Sequence, residues 1–111
     1  MVVERRFVKV LVDSIVSLEH SITEVAIHSA FNDTKEVADL LLDKIKQKNE
    51  MVEQLKKIKN FMQKLPALEL KIFDLYFVKG AEVSNYDCNI SIRQRFRIIA
   101  RLKKELEEKL L

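Results

Sequence analysis

The sequence predicts an all-α protein in which a long N-terminal helical hairpin precedes a smaller helical unit. Three observations carry this. The 111 residues hold one Gly and one Pro, too little turn chemistry for a sheet. No segment alternates apolar and polar residues for long, whereas apolar residues recur at three and four positions through most of the chain. Cap-like sequences punctuate those stripes. A chain of this length that is 48% hydrophobic can bury one modest core, so a small domain with a helical extension is expected.

The first element spans about Glu4 to Ala30. Phe7, Leu11, Ile15, Leu18, Ile22 and Val25 follow one another at spacings of four, four, three, four and three, a helical stripe. The valines at 8, 10 and 12 leave a short strand open at its start. "FNDTKEV" reads as a break and a restart: Asp33 is placed to accept an amide of the next helix, and Glu36 to reach back to the Asp33 amide. From there Ala38, Leu41, Ile45, Val52, Leu55 and Met62 fit positions a and d of a heptad, with Lys48 and Lys59 in the seam. The expected product is a long, partly buried helix antiparallel to the first, so residues 1–64 form a hairpin suited to self-association or to a partner.

Residues 65–111 form the second expected unit. In "KLPALELKIFDLYFVKG", Pro66 suits a first helical position, Leu68, Ile72, Leu75 and Tyr76 make an inner face, and Gly80 suits a left-handed cap. "AEVSNYDCN" allows two turns at most. "SIRQ" is a capping box, Ser91 with Gln94, and opens a last helix whose apolar face is Ile92, Phe96, Ile99, Leu106 and Leu110.

Charge singles out this last helix. Net charge is +3, but residues 91–111 alone hold seven Lys or Arg against three Glu. Arg101, Lys103 and Lys104 each have a Glu four residues on, as surface pairs do. Arg93, Arg95 and Arg97 have no acidic residue three or four positions away, and they sit at the end where the helix dipole opposes cations. A helix N-terminus with free amides and arginines suits phosphates and base edges. Arg93, Arg97, Arg101 and Lys104 share one side, next to Gln94. A solvated basic face, with Arg95 lying along the core edge, and an acidic protein partner are the other readings.

Helix, glycine, short segment, tight turn and capped basic helix is the order of a helix-turn-helix. "LPALELKIFDLYFVKG" followed by "NISIRQRFRIIARLKKELEEKL" resembles the C-terminal half of sigma-factor region 4-like proteins from phages of Gram-positive bacteria, among them the ArpU-type transcriptional regulators. The likeness runs from Leu65 to about Leu106, and "LYFVKG" and "ISIRQRFRI" are its strongest pieces. It implies binding of promoter-like double-stranded DNA, with Ser91, Arg93, Gln94, Arg95 and Arg97 at the reader positions, and contact with RNA polymerase; on the basic face itself, Arg101 and Lys104 are expected to assist at phosphates. The family has a full helix where this chain has "AEVSNYDCN". The rival expectation is an adaptor or inhibitor that mimics a sigma domain and binds polymerase or another regulator without reading DNA.

Other chemistry is thin. His20, Glu24 and His28 share a helix face, but no further ligand is identifiable, so no metal or cofactor is expected. Cys88 reads as a small buried thiol, and a lone cysteine forms no internal disulfide. There is no glycine-rich phosphate loop and no supported nucleophile with its base, so an enzyme is not expected. No apolar run approaches the roughly 18 residues of a membrane span. Glu4, Arg5, Arg6, Lys9 and Asp13 interrupt the start as a signal sequence, which makes a reducing cytosol the expected home. A homodimer through the N-terminal helices would place two reader helices on DNA.

Overall fold

The computed structural model describes residues 2–111. Four α-helices follow in order: α1 (Phe7–Phe31), α2 (Lys35–Gln63), α3 (Ala67–Phe73) and α4 (Ile92–Leu110). A π-helical turn, Asp74–Val78, continues α3, and a single 3-10 turn, Val83–Asn85, stands before α4. Among the described residues there is no strand, so the chain is all-α and the valines at 8, 10 and 12 are helical.

Packing divides the chain into two units. One comprises the N-terminal residues up to Val10 with Lys56–Leu111, and the other is Leu11–Leu55. The sequence had put a boundary between residues 64 and 65. Val3, Val8, Ile58 and Phe61 are all buried in the first unit, which is why the ends of α1 and α2 are counted with it.

The Leu11–Leu55 unit is a helical hairpin. Lys48, a seam residue of α2, reaches Glu19 of α1 at 3.5 Å, a pairing that fits helices running antiparallel from the turn at 32–34. The α2 cap lies one residue later than expected. Thr34, not Asp33, accepts the Val37 amide through its hydroxyl at 3.3 Å, because the helix starts at Lys35 and a cap serves the third residue after it. Ala38, Leu41, Ile45, Lys48, Val52 and Leu55 are half-buried, as the heptad required. Past residue 55 that stripe steps over by one position, leaving Lys59 exposed and burying Ile58 and Phe61.

The first unit has the true core. Phe73, Phe77, Ile58, Ile72, Leu102, Leu106 and Val3 are fully enclosed. Phe73 stands at its centre, 5.8 Å from Phe61 and 4.8 Å from Phe77 between ring centroids. The inner face of α3 is therefore set by Ile72, Phe73 and Phe77, while Leu68 is 40% exposed. Pro66 precedes α3 as its cap instead of occupying the first turn.

Gly80 adopts φ +68°, as expected, and the Ala81 amide donates back to the Leu75 carbonyl at 2.8 Å to close the helix. Arg6 also has a positive φ, 66°, and its amide donates to the Tyr76 carbonyl at 3.0 Å. The Arg6 stem fills the space that a side chain on Gly80 would need. The N-terminal segment is held again where the Val3 amide donates to Glu107 Oε1 at 2.9 Å.

Candidate nucleic-acid interface

The basic helix begins as its sequence dictates. Ser91 Oγ accepts the Gln94 amide at 3.2 Å, and Gln94 Oε1 accepts the Ser91 amide at 3.3 Å, completing a capping box. Ile99, Leu102, Leu106 and Leu110 then bury one side of α4. Leu102 belongs to that side and was not anticipated, whereas Ile92 and Phe96, expected on it, are 47% and 54% exposed. The reason is the segment before α4: only Val83–Asn85 forms a turn, too little to cover the start of the helix. A cleft of about 420 Å³ remains there, lined by Ile92, Phe96, Tyr76, Val83 and Arg5.

The loop that carries α4 is fastened by cations. Arg95 is the main one. Its Nη1 donates to the Val83 carbonyl at 2.9 Å and to that of Ser84 at 3.4 Å, Nη2 to Cys88 at 3.2 Å, and Nε to Ile90 at 3.2 Å. Arg95 is thus spent inside the fold and departs from the reader position assigned to it. The physical cause is angular: 100° per residue points Arg95 about 200° away from Arg93 and beside the buried side chains. Lys71 Nζ donates to the Asp87 carbonyl, and Arg5 pairs with Glu82 at 3.4 Å. Tyr86 is buried, with its hydroxyl 3.3 Å from the Ala81 carbonyl. Its pKa is pushed up to about 12, first by burial and then by the neighbouring Tyr76. Cys88 is half-buried, more open than expected.

What remains outward is Arg93, Arg97 and Lys104, all exposed and without an ion pair or hydrogen bond among the described residues. They lie on the side of α4 opposite Ile99, Leu102 and Leu106. Arg101 borders them but is shared between Glu69 of α3 and Glu105, the latter at 3.9 Å. The other two expected pairs, Lys103 with Glu107 and Lys104 with Glu108, are not formed; Glu107 serves the Val3 amide instead. Ser91 and Gln94 are committed to the cap, with the Gln94 side-chain Nε2 left to donate.

Charge follows the same division as packing. The unit containing α4 carries sixteen Lys and Arg against eight Asp and Glu, and the hairpin unit four against nine. Three of those lysines, Lys57, Lys64 and Lys109, surround a second cleft of about 210 Å³ at the ends of α2 and α4, with Phe61 and Asn60. The sequence reading passed over them, although Lys64 and Lys109 fall where helix C-termini favour cations.

Each histidine has a partner four residues further along the chain. His20 Nε2 is 3.1 Å from Glu24, and His28 lies 3.5 Å from the Asn32 amide nitrogen. Among the described residues no group of three His, Cys, Asp or Glu side chains could hold a metal ion, and no helix is long and apolar enough to cross a membrane. Comparison with family models, curated proteins and solved structures finds no match for this chain.

Proposed function

We propose that this chain is a DNA-binding transcription regulator of the phage type, with α4 as the element that meets double-stranded DNA. The observation that carries the reading is the outward row of Arg93, Arg97 and Lys104, three exposed cations with no partner among the described residues, running along α4 from its capped N-terminus. Cations opposed by the helix dipole gain most from an anion brought from outside. Arg93 and Arg97 are the base or phosphate contacts, and Lys104 and Arg101 extend the row along the backbone. Ser91, Gln94 and Arg95 act by fixing the start of α4. The resemblance to sigma region 4-like phage regulators points the same way and adds RNA polymerase as an expected partner.

The test is fluorescence anisotropy with random-sequence duplex DNA across a salt series, wild type beside Arg93→Ala/Arg97→Ala. Each neutralised phosphate contributes a log-log slope of about −0.9, so the double variant should lose about one to two units of slope. No binding at low salt by folded protein would refute the proposal.

One observation favours the rival reading, an interaction protein that binds polymerase or another regulator without reading DNA. Ile92 and Phe96 are exposed in a cleft, and apolar side chains in a concave site suit a protein partner better than a phosphate backbone. Phe96→Glu would abolish such a contact while leaving the salt slope of DNA binding in place.

A further inference from the structure

Helix α1 is apolar on two sides. Within the hairpin unit, Leu11 and Ile15 are buried and Leu18, Ile22 and Val25 half-buried. On the opposite side Val12, Val16, Ile27 and Phe31 expose 39%, 58%, 57% and 88% of their surface. With His20 and Thr23 between them they form one continuous row. An apolar helix side is normally buried, and α2 can cover only one of the two on α1. Two packed helices alone also make a marginal unit, because so little of either is removed from water.

We propose that this row is the seam of an antiparallel α1–α1 contact between two copies of the chain, joining two hairpins through their first helices. The second copy is singled out by the row itself. Positions 12, 16, 20, 23, 27 and 31 have spacings of four, four, three, four and four, which read the same from either end. A two-fold axis between residues 21 and 22 therefore sets Val12 against Phe31 of the second copy, Val16 against Ile27, and His20 against Thr23. That is the self-complementarity an isologous interface requires. The unit's nine acidic and four basic residues oppose nucleic acid and anionic membrane as occupants; they also oppose a second copy, a repulsion that salt screens. The contact is independent of the DNA-binding proposal and is tested without DNA.

Sedimentation of the full chain across a salt series should show a dimer that tightens as salt rises, because two like-charged units are being screened. DNA binding has the opposite dependence. Val16→Glu or Ile27→Glu should weaken the dimer at least tenfold without lowering the helical circular dichroism, since both side chains are exposed in the single chain. In a Cys88→Ser background, mixing Val16→Cys chains with Ile27→Cys chains should give a disulfide-linked pair on mild oxidation. Val16→Cys chains alone should not link, their positions lying about 16 Å apart along the axes at 1.5 Å per residue. A monomer at every salt concentration, a dimer indifferent to both glutamates, or efficient Val16→Cys self-linkage would each overturn the proposal.

Discussion

Arg95→Ala is the substitution that separates fold from function on α4. Four carbonyls share this guanidinium, and the contacts to Val83, Cys88 and Ile90 are partly buried, while the 3.4 Å contact to Ser84 is exposed and water can replace it. Hydrogen bonds to charged groups contribute roughly 1.5–3 kcal/mol each when buried, and about 1 kcal/mol is reasonable for each of the three at partial burial. The expected loss is about 3 kcal/mol from a total of the order of 5–15 kcal/mol. At about 4 °C per kcal/mol for a chain of this size, Tm should fall by about 12 °C. Both tyrosines, Tyr76 and Tyr86, lie in the unit containing α4, so tyrosine fluorescence in a urea titration reports that unit. The midpoint should drop for Arg95→Ala and recover only in part for Arg95→Lys, which cannot reach four acceptors with one ammonium. An Arg95→Ala midpoint within about 0.5 kcal/mol of wild type would refute the reasoning.

Three further outcomes follow from the same unit. Gly80→Ala places a side chain at φ +68° against the Arg6 stem and should cost about 2 kcal/mol, read by the same urea titration. Ser91→Ala removes the cap and should cost about 1 kcal/mol, with amide exchange faster in the first turn of α4 than in its last. Tyr86 has a folded pKa of about 12, above its ordinary value of 10.0, so the fold favours the protonated phenol. Its contribution is complete below pH 10 and is lost as pH rises through about 12. Tyr86→Phe should therefore show a shallower fall in stability than wild type over that window, and identical pH profiles would contradict it.

Residues that form repeating patterns were legible in the sequence, and those whose roles depend on meeting a distant segment were not. The Ser91–Gln94 box and the left-handed Gly80 were readable because each is a local backbone requirement. The half-buried stripe from Ala38 to Leu55 was readable from its period. Phe73 and Phe77 were missed because "KIFDLYF" is apolar on nearly every side, and only the position of Phe61 decides which rings turn inward. Val3 and Glu107 lie 104 residues apart, a pairing that no local pattern announces. The exposure of Ile92 and Phe96 depends on what the preceding segment fails to cover, and the amphipathic period of α4 cannot register that.

The alternate arginines of "IRQRFR" combine two roles that a helical period separates. At 100° per residue Arg93 and Arg97 are about 40° apart, and Arg95 points away from both. Arg95 returns its charge to four carbonyls, so the dipole's opposition is offset within the fold. Arg93 and Arg97 have no such return; Arg93, in the first turn, opposes the macrodipole by roughly 0.3–1 kcal/mol at low salt, and Arg97, a turn further on, by less. Arg93→Ala/Arg97→Ala should therefore melt about 1–4 °C above wild type at low ionic strength, using the same conversion from free energy to Tm. That gain should shrink as salt screens the dipole, while binding of duplex DNA becomes weaker and less salt-dependent. Stability given up at the residues that bind is the signature expected of a ligand site, where local rules are broken for function. If the double variant instead loses more than about 1 kcal/mol, these arginines belong to the fold as Arg95 does, and the basic face would have no claim on DNA.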